Sequence, residues 1–291
     1  LLHHKTDQSL GLINWELRIP RLIMAMLTGL TLAGVGGAFQ GILRNPLADP
    51  YILGISAGAA LGACTGIALQ YITGTYFMSL LPLFAFVGAL ISIALVTLFS
   101  KKRSHLPITD LLLAGVAVNF FFSALITLLL ALSNREIHSM VFWLMGDLST
   151  ANWSKIVIIF IPVMLGTFLL IASSLELNAL ALGEEEALHL GIQTQKLRLR
   201  IFLIGSMMIA VVVSFTGLIG FVGLVIPHIA RLMVGPDHRI MLPFSALFGA
   251  IFLILCDTLS RSLLAPTEIP IGAITAIIGA PLFIHLLKRR I

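Results

Sequence analysis

The chain has 291 residues, 58% of them hydrophobic and 11% charged, with a formal net charge of +5 and a mean hydropathy of +1.06. Soluble domains carry about a quarter charged residues, so this composition excludes an ordinary water-soluble fold and points to a lipid solvent. The positive balance does not indicate nucleic acid, because no Lys/Arg-rich run interleaved with aromatics lies outside the apolar stretches.

The first residues, with His3, His4, Lys5, Asp7 and Gln8, are polar and lack the apolar core of a signal peptide. Nine apolar stretches follow, near 20–41, 52–72, 78–99, 108–131, 155–173, 199–216, 219–234, 242–264 and 269–287. A stretch of about 20 apolar residues crosses a hydrocarbon core about 30 Å thick as a helix. Runs such as Leu111–Leu132 do not alternate apolar with polar residues, which excludes a transmembrane barrel. The seventh stretch is the shortest and the least secure span.

In the first span Gly29, Gly34, Gly36, Gly37 and Gly41, and in the second Gly54, Gly58, Gly62 and Gly66, place small residues where helix backbones can approach closely. Between them, prolines at both ends of Pro46–Pro50 predict a broken helix and a turn or re-entrant path. Gly54-Ile-Ser-Ala-Gly58 matches the hydrolase nucleophile pattern, but that elbow needs a preceding strand and a base, and neither is indicated. Cys64 and Cys256 fall inside apolar spans and are read as small buried side chains, with no disulfide framework and no metal site.

Two polar connections are too long to be simple turns. Within Ser133–Ser154, Ile137, Met140, Val141, Leu144 and Met145 recur at helical spacing and predict an amphipathic helix at the membrane surface. Within Ser173–Arg200, Leu175–Gly183 and Glu184–Gly191 predict one or two short helices bounded by glycines, the second opened by Glu184, Glu185 and Glu186 at the positive end of its dipole. This segment is expected to be a docking surface for a soluble partner. Further on, His228 is read as a packing histidine beside Pro227, and Asp257 and Arg261, four residues apart, share a helix face and neutralise one another. The chain has no Gly-Lys dipeptide and so no phosphate-cradling P-loop of its own.

If the first span enters from outside, twelve lysines and arginines collect on the inner side (Arg44, Lys101, Lys102, Arg103, Lys196, Arg198, Arg200, Arg231, Arg239, Lys288, Arg289, Arg290). Six remain outside: Lys5, Arg18, Arg21, Arg135, Lys155 and Arg261. The positive-inside rule therefore predicts an outer amino end and a cytoplasmic carboxyl end, and parity predicts a further helix ahead of Leu1.

An ordered set of motifs then resembles the FecCD-type permeases of ATP-binding-cassette importers over the whole chain. It comprises Arg18-Ile-Pro-Arg21, the run Gly29–Gln40, Arg44-Asn-Pro-Leu-Ala-Asp-Pro50, Leu53–Ala59, Leu112–Val116, Ala179–Glu184, Gly217–Arg231, Asp237-His-Arg239, Ile269–Gly272 and Gly279-Ala-Pro281. The resemblance implies an all-α, ten-helix permease, with residues 1–291 a single transmembrane domain and 173–200 an ATPase-coupling segment within it. It implies a multi-pass protein of the bacterial inner membrane that moves iron chelates (siderophore or haem) or cobalamin by alternating access. It also implies pairing with a second copy, two cytoplasmic ATPase subunits and an extracytoplasmic substrate-binding protein, with ATP and Mg held by the ATPase and no cofactor on this chain. By motif, ATPase coupling maps to Leu180, Ala181, Leu182, Gly183, Glu184, Ala187, Leu190 and Gly191, and binding-protein docking to Arg18, Arg21 and Arg261. The pathway helix maps to the fourth span with parts of the last. The competing reading is a secondary transporter driven by an ion gradient, against which no chain of acidic or histidine residues lines one helix face.

Overall fold

The structure is a computed structural model and describes residues 11, 14–73, 78–100, 107–133 and 136–288. Every predicted apolar stretch is a helix. They are α1 (Ile19–Ile42), α2 (Ile55–Thr73), α3 (Leu81–Ser100), α4 (Ile108–Leu132), α6 (Trp153–Ala172), α9 (Thr194–Thr216), α10 (Val222–Val234), α11 (His238–Ser262) and α12 (Ile271–Lys288). Three short helices lie between them: α5 (Ile137–Leu144), α7 (Ser174–Leu182) and α8 (Glu184–His189). Among the described residues, six of the nine, counting α1 from Asn14, are long and apolar enough to cross a bilayer, and Ile55–Tyr71, Val222–Val234 and Ile271–Leu286 are shorter apolar stretches of α2, α10 and α12.

The predicted small-residue stripes become helix contacts. A Cβ on Gly29 would overlap the carbonyl of Gly249, and one on Gly36 the carbonyl of Gly223, so α1 packs backbone to backbone against α11 and α10. Gly58 and Gly62 do the same for α2 against Gly88 and Phe84 of α3. Van der Waals contact of this kind replaces the hydrophobic drive that is missing in lipid. The result is a buried central helix, α1, wrapped by α9, α10 and α11, while α3, α4 and α6 turn apolar side chains such as Leu98, Phe120 and Phe168 outward.

The seventh span begins later than expected, at Val222 and not near residue 219, and its 13 residues cover only about 20 Å. It starts inside the protein, after a break in which Phe221 takes a left-handed φ of 67°. The freed backbone is satisfied by Tyr51, whose hydroxyl donates to the Ile219 carbonyl (3.0 Å) and accepts from the Ile219 N–H (3.2 Å). Tyr51 itself sits in a 3-10 turn over Pro50–Leu53, the re-entrant feature that the prolines predicted, capped by Asp49 through the Tyr51 N–H. Irregular backbone at this depth is tolerated because protein groups cover it.

The two ends of the bundle sort as the alternation of loops requires. Asn178 reaches Asp237, and Arg44 acts on the Glu184 carboxylate, which joins the first, fifth and seventh inter-span loops at one end. Trp15 packs at a tilt against Trp153, the Met145 carbonyl accepts from the Gly272 N–H, and Arg21 meets Asp257 and Glu268 at the other. Of the charges used for orientation, Lys5, Lys101, Lys102, Arg103, Arg135, Arg289 and Arg290 lie outside the described residues.

Candidate coupling and docking surfaces

At the first end, α7 stops at Gly183 and α8 starts at the next residue. Gly183 has a φ of 152°, and an added Cβ would collide with the Glu186 carboxylate, so a side chain here is disfavoured twice. Glu184 folds α8 back onto α9. Its carboxylate takes two charged hydrogen bonds from the buried Arg198 (3.0 and 2.8 Å) and one from the Thr194 hydroxyl (3.2 Å). The Arg198 bonds hold the Glu184 carboxyl below its ordinary range, against the opposing effect of burial. Glu176 of α7 pairs with Arg200 of α9 nearby. The last turn of α8 closes on Gly191, in the left-handed region at φ 81°.

The eight coupling positions divide cleanly. Leu180, Gly183 and Ala187 point into the protein and anchor the segment, and Glu184 is half-buried in its clamp. Ala181, Leu182, Leu190 and Gly191 face outward. Leu188 is equally exposed beside Glu185, Glu186 and His189, and the motif did not single it out. Leu182 (70% exposed), Leu188 (55%) and Leu190 (63%) stand out from a segment that also exposes Glu185 and Glu186, a mixture of apolar and charged side chains that a protein contact could cover.

At the opposite end the three arginines have different fates. Arg18 is exposed and, among the described residues, donates to Asn14 of its own turn (3.2 Å). Arg21 is buried and commits its guanidinium to two carboxylates: Asp257 (2.9 Å from both Nε and Nη2) and Glu268 (3.0 and 2.9 Å). Arg261 closes on the other Asp257 oxygen at 3.2 Å, as the four-residue spacing predicted, and keeps part of its side chain at the surface. Asp257, fully buried, is thus held between two arginines. Two positive and two negative groups cancel locally, which leaves Arg18 the most exposed of the three arginines and makes Arg21 a strut between α1, α11 and the loop before α12.

Elsewhere the single-residue readings hold: Cys64 and Cys256 are free, buried thiols, and His228 is buried on α10. Asn119 of α4 donates to the carbonyls of Tyr51 and Ile52 (3.1 and 3.2 Å), tying that helix to the re-entrant turn. No local signal in the sequence marked this bond.

Comparison with known proteins places this geometry. The model of the FecCD transport family matches residues 1–289. The cobalamin import system permease protein of Halobacterium salinarum is 42% identical over 274 residues, which cover 94% of this chain and 73% of that protein. The molybdate import system permease protein of Haemophilus influenzae is 43% identical over 281 residues, covering 94% of this chain and 81% of that one. Among solved structures, an inward-facing conformation of a metal-chelate type ABC transporter superposes with a TM-score of 0.88 at 38% identity, over 96% of this chain and 88% of that one.

Proposed function

Because the chain belongs to the FecCD transport family, whose members are permease subunits of ATP-binding-cassette importers, we propose that it imports a metal chelate, haem or cobalamin across the cell membrane by alternating access. It is a multi-pass membrane transport subunit and not an enzyme. Energy comes from two ATPase subunits seated against α7 and α8, and cargo is delivered by a binding protein that docks at the end carrying Arg18. The observation that carries this reading is the exposure of Leu182, Leu188 and Leu190 beside Glu185 and Glu186 on a segment clamped to the bundle by Glu184 and Arg198. A solvated connector needs neither the exposed leucines nor the clamp.

Overall likeness does not select the cargo, since relatives of nearly equal identity bear the names of cobalamin and molybdate systems. The test is uptake into proteoliposomes that hold this chain with its own system's ATPase and binding protein. Cyanocobalamin, haemin, ferrichrome and molybdate serve as probes, with ATP or a proton gradient as the energy source. ATP-dependent uptake of one of the first three is expected. Uptake of molybdate alone would overturn the cargo class, and gradient-driven uptake without the ATPase would overturn the importer reading.

A further inference from the structure

The coupling segment is fixed to the bundle by a second set of bonds, made by a residue that carries no charge. Asn178 lies in the middle of α7, on the turn before the exposed leucines. Its carboxamide oxygen accepts the backbone N–H of His238 at 2.8 Å and lies 2.8 Å from His238 Nδ1, while its nitrogen donates to Asp237 Oδ1 at 2.6 Å. The partners fix which end of the amide points where, because a carboxylate can only accept and a backbone N–H can only donate. Asp237 also caps α11 through the Arg239 N–H (3.0 Å). Asn178 therefore supplies a cap to α11 from another helix, satisfying one of the backbone donors that a helix start leaves open.

The seat of this contact is built for closeness. A Cβ on Gly41, at the end of α1, would come within 2.8 Å of His238 Nε2 and 3.1 Å of Leu177 Cδ2, so α1, α7 and α11 converge on one point. From there α11 runs 25 residues, about 37 Å, to its far end. On the way it locks against α1 at Gly249 and Gly29, and near that end Asp257 is tied to Arg21 of α1. The inner contact and the outer charge cluster thus sit on the same pair of tightly packed helices.

We propose that Asn178 is the positioning residue that fixes the coupling segment to α11, so that a displacement of α7 and α8 is delivered to α11 and α1 together and reaches the outer end. The inference rests on the assignment of α7 and α8 as the ATPase-contacting segment.

A labelling experiment tests it without knowledge of the cargo. Cys64 and Cys256 are replaced by serine, and Leu17→Cys places one thiol on the exposed turn ahead of α1 (59% exposed). The maleimide labelling rate is then measured in liposomes with the ATPase subunits, with and without ATP and vanadate. ATP is expected to change the unmutated protein's rate about fivefold or more, the lower range of allosteric coupling. Asn178→Asp sets two carboxylates against each other, and should abolish that change while the ATPase still binds and hydrolyses ATP. Asn178→Asp with Asp237→Asn exchanges donor and acceptor. Asp237 Oδ1 accepts from both Asn178 and the Arg239 N–H, so the carboxamide introduced there turns its nitrogen to the carboxylate introduced on α7 and its oxygen to the Arg239 N–H. This double variant should restore the change to within about twofold of the unmutated value. Asn178→Ala, read alongside in case Asn178→Asp fails to accumulate, should lose at least half of it. A full response in either single variant, or no rescue in the double variant, overturns the inference alone. Loss of ATPase binding or of any ATP response in the unmutated protein overturns the coupling assignment, and the inference with it.

Discussion

Asp257 shows why arginines identified by one motif need not share one job. It is completely buried, and a buried carboxylate that loses its partner is costly, about 3–5 kcal/mol where one member of a pair is removed. Arg21→Met should therefore lower unfolding stability toward that range, the lower end because Arg261 remains within 3.2 Å. Asp257→Asn added to it should recover most of the loss. The midpoint of unfolding in an SDS titration reads both, and an unchanged midpoint for Arg21→Met would show that the cluster contributes nothing to stability. Arg18 has no such internal duty. Arg18→Glu should leave stability unaltered within about 0.5 kcal/mol, as expected of a surface change, yet weaken binding-protein docking through reversal of a complementary charge. The docking loss should shrink as salt rises. Equal docking at low salt would remove Arg18 from the interface. The Asp257/Arg261 pairing was legible because four residues set a helix face. Arg21 lies 236 positions from Asp257, and no local pattern announces such a partner.

Elements were the most legible scale, and their failures have physical causes. Nine apolar stretches gave nine helices because lipid allows few other solutions, and a short helix, α5, formed where the spacing predicted one, with Met140 as its buried residue. The seventh start was misplaced because Gly217–Phe221 is as apolar as the helix that follows, and its break is covered by Tyr51, far back in the chain. Glycine spacing marked close contacts without naming partners. Gly249→Leu should therefore be severe, at least about 1–3 kcal/mol, because the obstacle is the Gly29 backbone, which cannot swing aside. Gly183→Leu presents the opposite case. Its obstacle is the movable Glu186 carboxylate, so the variant should insert, accumulate and still bind the binding protein. The strained φ of 152° would nevertheless re-aim α8 and its leucines, and ATP hydrolysis stimulated by the loaded binding protein should fall together with transport. If both activities survive at the unmutated level in proteoliposomes, the coupling surface lies elsewhere on that end, with Pro236–Met241 the next candidate.

For the molecule as a whole, the open question is where the cargo passes, and the burial pattern frames it. Helix α4 buries one face, through Leu111, Val118 and Phe122, and leaves Leu113, Phe120 and Phe121 outside. Its Asn119 is nevertheless committed to the re-entrant turn at Tyr51 and Ile52, so a helix at the periphery of one chain is wired to the irregular backbone in its interior. That arrangement suits a helix that lines a path between two copies better than one that only meets lipid. A cavity of about 580 Å³ exists within the single chain, lined by Gln70, Glu136, Asp147, Lys155 and Thr216, but no residue of α4 borders it. The two routes make different predictions. With Cys64 and Cys256 replaced by serine, Phe120→Cys (75% exposed) should form a disulfide-linked dimer on mild oxidation in membranes. Phe168→Cys on α6 is almost as exposed at 67% and should not if α4 lines the interface, since α6 would then face lipid. The exposures are matched, so chance collision in the bilayer would link both variants alike, and only a specific interface separates them. A dimer at Phe120 alone places α4 beside the twofold axis and makes the path a shared one. Linkage at Phe168 alone would move the interface to α6, and a monomer that still transports would send the cargo through the chain's own cavity.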